Sequence, residues 1–295
     1  MPIRYRWLMV GGYICFGLVL FALFAFIKFP GQQVRATVLT ILSHHGLEHL
    51  RIGTIQPLLP PGLAFQEVSL TQEVNGQSVE LVRFPELRVY LRTLLPFSNP
   101  RRLRFEGELY GGSVLGTVEW QQAGTTPTVG IRADLQGLRP GMHPLVTRLS
   151  QTAVEGKLMA AMTLQISSAP WQEGEGHLVL QGDVGSLSGL EVMGIKLPSL
   201  PYEQLAGEFA LQTRSVIVRS FLIRGHDWQF DVQGKLGLTE RLAQSTLDFT
   251  LYVRTSEAME QQLGVVGTTL KQRRDRRGFA AFRIGGTLGH PTFTL

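Results

Sequence analysis

Beyond about residue 50 the chain keeps a period of two, and that period limits the available folds more than any other feature. The segment DWQFDVQGKLGL places Trp228, Phe230, Val232, Gly234, Leu236 and Leu238 on one side, and STLDFTLYV does the same with Leu247, Phe249, Leu251 and Val253. KLMAAMTLQI alternates through Leu158, Ala160, Met162, Leu164 and Ile166, and TVGIRADL through Val129, Ile131, Ala133 and Leu135. Successive side chains of a strand point to opposite faces, so this pattern describes strands with one apolar and one wet face. Turn residues separate the strands at Asn75-Gly76, Gly111-Gly112, Gly174-Glu175-Gly176, Gly182-Asp183 and Gly225-His226-Asp227. The fold class that follows is mainly β, a long twisted antiparallel meander forming a curved sheet or partial barrel. A few short helices are expected at Arg92–Leu95, Met142–Gln151 and Ser256–Gln272. The apolar face needs a cover, which barrel closure, folding of the sheet on itself, or bound acyl chains would each supply.

The N-terminus follows another rule. Trp7 to Ile27 reads WLMVGGYICFGLVLFALFAFI, 21 residues without a charge. As a helix rising about 1.5 Å per residue it matches the ~30 Å bilayer core. A cleaved signal peptide would have a shorter apolar core and a small-x-small site before Pro30, and a lipoprotein would have small residues before Cys15; neither is present. The run therefore reads as an uncleaved transmembrane helix. Arg4, Arg6 and the terminal amine precede it, against Lys28 and the more distant Arg35 after it, which keeps the N-terminus cytoplasmic. The expected organisation is a cytoplasmic N-terminus at 1–6, the transmembrane helix at 7–27, a juxtamembrane helix or linker at 28–46, and a β-rich domain at 47–295. In a cell with two membranes, this is a single-pass inner-membrane protein with a periplasmic C-terminal domain. Within the linker, Val34, Val38, Ile41 and Leu42 recur at helical spacing up to Gly46.

Composition narrows the chemistry. The one cysteine, Cys15, lies in the apolar run, which rules out an intramolecular disulfide and a cysteine zinc site. Of 28 cationic residues 23 are arginines, scattered from Arg4 to Arg283 rather than gathered on one segment. Nucleic-acid binders concentrate such charge, so no nucleic-acid partner is expected, whereas a site beside an anionic membrane is compatible. KQRRDRRG is the densest cluster, with Lys271, Arg273, Arg274, Arg276 and Arg277 around Asp275. It reads as a solvated helix end or as a contact for lipid headgroups or an acidic partner surface.

One motif imitates an active site. His45-Gly46-Leu47-Glu48-His49 is an H-x-x-E-H sequence, the order of the inverted zincin peptidases. Both histidines must face one metal from an uninterrupted helix, yet Gly46 favours a helix end and the next residues turn to strand and loop. No metal site is assigned. His226-Asp227 and Glu173 with Glu175 fall on turns without a nucleophile or phosphate loop, so no catalytic residue and no cofactor are expected. A Gly-x-apolar rhyme at Gly107, Gly156, Gly207, Gly234 and Gly286 marks either a duplicated strand unit or the repeated needs of a meander.

The succession of segments resembles the type II secretion system protein N (GspN-like) family, AsmA-like in style. It is carried by the run Trp7–Ile27, then LLPPGLAFQEVSL (Leu58–Leu70), PELRVYLRTLLP (Pro85–Pro96) and GELYGGSVLGTVEW (Gly107–Trp120). RGHDWQFDVQGKLGL (Arg224–Leu238) and FRIGGTLGHPTFTL (Phe282–Leu295) complete it. The resemblance implies a non-enzymatic accessory of type II protein secretion, anchored in the inner membrane through residues 7–27 and partnered by other secretion proteins. The alternative it implies is an AsmA-like lipid-binding or lipid-transfer module that uses the apolar sheet face.

Overall fold

The computed structural model describes residues 16, 17, 20, 26, 28–44, 49–59, 62–74, 77–91, 101–123, 126–143, 153–166, 174–192, 195–239 and 242–294. The strands of the first half are β1 (Leu50–Arg51), β2 (Thr54–Leu58), β3 (Gly62–Val74), β4 (Gln77–Leu91), β5 (Arg101–Leu109), β6 (Gly112–Ala123) and β7 (Thr126–Leu138). Next come β8 (Ala153–Glu155), β9 (Leu158–Ile166), β10 (Glu175–Gly182), β11 (Gly185–Ser188), β12 (Glu191–Val192), β13 (Ile195–Lys196) and β14 (Leu200–Tyr202). The last are β15 (Gln204–Gln212), β16 (Ser215–Arg224), β17 (Trp228–Gly237), β18 (Thr246–Thr255), β19 (Ala280–Thr287) and β20 (His290–Thr294). Helices α1 (Gly31–His44), α2 (Glu257–Leu263) and α3 (Val265–Gln272) flank them.

Fifteen strands form one antiparallel sheet in near-sequential order, with β1 and β2 both on the outer edge of β3 and β20 on the opposite edge. Among the described residues β20 does not pair with β1 or β2, so the meander is an open sheet rather than a closed barrel. Two insertions leave the path. β8, β11 and β14 make a small sheet of their own, and β12 with β13 makes a hairpin. Two hairpins turn through positive-φ pairs, Tyr110-Gly111 and Thr213-Arg214, the mirror-image geometry that matches strand twist. The first turn thus sits one residue earlier than the expected Gly111-Gly112.

The register explains the alternation. A single cross-strand row runs Ile55, Phe65, Leu87, Gly107, Val114, Leu135 and Ala160, then Leu180, Gly207, Phe221, Val232, Leu251 and Phe282. Every member is apolar or glycine. Glycines on this face make room for neighbouring rings: a side chain on Gly116 would strike Phe105, and one on Gly207 would strike Phe209 and Phe221. Gly234 at φ 145° is also conformationally required, because its Cβ would collide with Phe249 and the backbone of Asp248. Gly107, Gly207 and Gly234 of the rhyme stand on this face inside strands, whereas Gly156 lies in the connection between β8 and β9. The opposite face carries exposed ion pairs such as Arg102–Glu119 at 3.0 Å and Arg283–Asp248 at 3.0 Å.

Cover for the apolar face comes at its two ends. α1 follows Pro30 and lays Val34 and Val38 against Ile52, Ile55 and Val68 beside β2 and β3. At the far end α2 begins at Ser256, whose hydroxyl accepts from the Met259 amide at 3.2 Å, and carries Glu257 and Glu260 in its first turn where the helix dipole favours them. Gly264, at φ 58°, breaks the helix and α3 returns. Met259, Leu263, Val266 and Leu270 all bury onto Trp228, Val253 and Ala280. The expected Ser256–Gln272 helix is therefore a two-helix hairpin. The other two helical expectations are outside the description, apart from a 3-10 turn at Pro140–Met142.

Among the described residues no helix is long and apolar enough to cross a membrane. The run Trp7–Ile27 lies outside them except for Phe16, Gly17, Leu20 and Phe26, which are helical and solvent-exposed.

Candidate functional site

Between the two covered ends, part of the apolar face lies outside both core clusters among the described residues, although Val114 and Ala133 on it are buried. Leu103 and Phe105 on β5, Val118 and Trp120 on β6, Ile131 on β7 and Met162 and Leu164 on β9 share the face by register. None of them belongs to either buried core cluster. Trp120 is 53% exposed, and the apolar positions of β9 are all partly buried while its alternate residues are exposed. These side chains pack on their cross-strand neighbours and leave their outer surfaces to solvent. Partly exposed apolar side chains gathered on one face make this a candidate interaction surface.

Toward β15 the small sheet closes part of the face. Tyr202 is completely buried and donates to the Glu155 carbonyl at 2.6 Å, which pins β14 to β8. Its burial raises the phenol pKa. Trp228 Nε1 donates to the Pro201 carbonyl at 3.0 Å, tying the main sheet to the same corner.

Under α2 and α3 the face continues into a cavity of about 440 Å³. Trp228, Phe230, Leu251, Val253 and Phe282 form its floor, α2 and α3 its roof, and Leu197, Phe293 and Thr294 its rim. The volume falls within the ~300–1,000 Å³ typical of small-molecule sites, and the lining is almost wholly apolar.

The cationic run follows α3 directly and divides in two. Lys271, Arg273, Arg276 and Arg277 are exposed. Arg274 turns inward instead. It pairs with the buried carboxylate of Glu260 and donates to the Thr255 carbonyl, while Thr255 Oγ1 donates to Glu260 Oε1 at 3.2 Å. Arg274 thus latches the hairpin to the end of β18 and is removed from the set available for surface contact. Asp275 shapes the loop by accepting from the Arg277 and Phe279 amides at 2.8 and 2.9 Å.

His45 and Glu48 of the H-x-x-E-H lie outside the described residues. His49 stands in the turn before β1, where its carbonyl accepts from the Thr71 amide at 3.2 Å. Among the described residues no group of three His, Cys, Asp or Glu side chains is arranged to hold a metal ion. On the wet face Glu208 accepts from Arg219 at 2.7 Å and contacts His177 at 3.1 Å. Those two partners, His177 first, hold its carboxyl below the usual pKa. The cluster sits on an open strand surface, with Thr163 opposite His177 and Ser220 opposite Glu208 in the register.

No family model, no curated protein and no solved structure matches the chain.

Proposed function

We propose that this chain is a non-enzymatic, membrane-anchored β-scaffold whose apolar sheet face engages lipid acyl chains. One observation carries the reading: the apolar cross-strand row is continuous, yet among the described residues part of it on the middle strands, from Phe105 through Val118 and Ile131 to Leu164, belongs to neither core cluster, although Val114 and Ala133 beside them are buried. Water is a poor neighbour for such a lane, costing about 25 cal/mol per Å² left exposed. An acyl chain supplies the missing partner without needing a matched polar pattern. The anchor is Trp7–Ile27, and the exposed apolar side chains of Phe16, Leu20 and Phe26 are what a lipid-facing helix presents. With Arg4 and Arg6 on the cytoplasmic side, the sheet stands in the periplasm. Mass spectrometry of residues 28–295 purified without detergent tests the reading. Bound lipid is expected, and it is lost when Met162 and Leu164 are both changed to Asp; a lipid-free protein contradicts it.

The second reading is an accessory component of the type II secretion machinery. It is supported by the placement of the resembling segments. Leu58–Leu70 runs from the last residue of β2 into β3, Gly107–Trp120 from the end of β5 through most of β6, Arg224–Leu238 from the last residue of β16 through β17, and Phe282–Leu295 takes in most of β19 and all of β20. All are parts of the one sheet rather than of its insertions. Co-purification with other secretion components and loss of exoprotein export on deletion are its expected outcomes; unchanged export counts against it. The two readings are compatible, since a secretion scaffold can also hold lipid.

A further inference from the structure

We propose that the cavity beneath the α2–α3 hairpin is a distinct binding site for one acyl chain of an anionic amphiphile, with the exposed cations after α3 holding its headgroup. The site lies on the same apolar face as the reading above and extends it, but its own residues carry the argument. The floor residues Phe230, Leu251 and Phe282 and the roof residues Leu263, Val266 and Leu270 enclose about 440 Å³. The polar side-chain groups of the lining are the Trp228 indole N–H, which donates to the Pro201 carbonyl, and the hydroxyls of Thr255, Thr269 and Thr294. Of these, Thr255 already donates to Glu260 and Thr269 donates to the Val265 carbonyl at 3.1 Å within α3. A water molecule needs two to four polar partners, so a space lined this way favours an apolar guest.

The hairpin is held in place independently of any guest. The Glu260–Arg274–Thr255 latch fixes one side, and Gly267 lies so close to the Glu260 backbone that a Cβ would collide with it. The roof is therefore not free to settle onto the sheet and fill the space. At the rim Phe293, on the edge strand β20, is 72% exposed and presents its ring at the mouth.

The charge is placed for an amphiphile. Thr269 and Leu270 line the cavity, and Lys271 follows at once with Arg273 two residues later, both exposed. Arg276 and Arg277 stand in the same loop, also exposed, while Asp275 spends one carboxylate oxygen on backbone amides. An apolar tail that enters the cavity at the C-terminal end of α3 would leave its headgroup beside this cluster, where an anion is favoured. A free fatty acid and an anionic phospholipid share that chemistry.

Tryptophan quenching separates the possibilities. Two single-tryptophan forms of the full-length chain are placed in phosphatidylcholine nanodiscs: one keeps Trp228 in the cavity floor, the other keeps Trp120 on the open face. Each is titrated with chain-brominated phosphatidylglycerol, brominated stearate and brominated phosphatidylcholine. Saturable quenching of Trp228 is expected with the anionic probes, and roughly tenfold weaker affinity when Arg273 and Arg276 are both changed to Glu. Val266→Phe, which fills the cavity from the roof, should abolish the Trp228 quenching and leave that of Trp120 intact. Response to phosphatidylglycerol alone assigns a phospholipid, and response to stearate as well assigns any anionic acyl chain. Trp228 quenching that is absent, or that survives Val266→Phe, overturns the site. Quenching of Trp120 in that case leaves the open-face reading standing, whereas quenching of Trp228 alone upholds the cavity and removes the open face.

Discussion

The strands β15–β19 and the strands β5, β6, β7 and β9 have the same alternation, the same antiparallel pairing and the same apolar face, and they differ in what lies on that face. Over β15–β19 the α2–α3 hairpin and the small sheet turn it into a core, with Trp228, Val253, Tyr202 and Ala280 buried. Over β5, β6, β7 and β9 the residues Phe105, Val118, Ile131 and Leu164 stay partly open, although Val114 and Ala133 beside them are buried. Alternation records which side of a strand avoids water. It does not record whether protein or something else keeps the water away, and the contrast between the two regions is where the function of this chain is to be sought.

Substitutions should expose the contrast. The largest effect is expected for Trp228→Ala, which removes an indole buried under the hairpin together with its hydrogen bond to Pro201, at about 3–5 kcal/mol. Leu164→Ala on the open face should cost less, about 1–2 kcal/mol, since its side chain is only partly buried. Urea unfolding of the full-length chain in detergent measures both, and equal costs would erase the distinction between the regions. Next in size is Glu260→Ala, which leaves the Arg274 guanidinium without its carboxylate. We expect a loss of roughly 1–3 kcal/mol, with the α2–α3 amides losing hydrogen-exchange protection first. Protection lost equally across β5–β7 would mean that the hairpin is no separate cover.

The smallest effect concerns the wet face. His177 and Arg219 depress the Glu208 carboxyl pKa, so its contribution is present above the unfolded carboxylate pKa of about 4.3 and fades as pH falls through the lower folded value. Glu208 is exposed, so Glu208→Gln should lower the urea midpoint only slightly at neutral pH and match the parent in acid. A large loss would show that the wet face carries stability as well.

Much of the sheet was legible in the sequence. The strands at Val129–Leu135, Leu158–Ile166, Trp228–Leu238 and Leu247–Val253 lie where the period of two puts them, with their apolar residues on one shared face. The limits Ser256 and Gln272 also bracket the helical hairpin, because a capping serine and a sharp change of period mark them locally. What the sequence hid depends on distant partners. β8, β11 and β14 have ordinary strand composition, and only pairing shows that they leave the main sheet. The five cations of KQRRDRRG look alike until Glu260, fourteen positions before Arg274, draws that one inward. The cavity was invisible for the same reason, since its floor and roof come from separate segments and each reads as ordinary core.

The central claim is that lipid, rather than protein, covers the partly open apolar face of β5, β6, β7 and β9. Photo-crosslinking from a benzophenone side chain in the full-length protein in its native membrane tests it most directly. Placed at Leu164, on the apolar face, the probe should yield lipid adducts; placed at the adjacent Thr163, on the wet face, it should yield none. Adducts to protein alone at Leu164, or the same lipid adducts at both positions, would contradict the account.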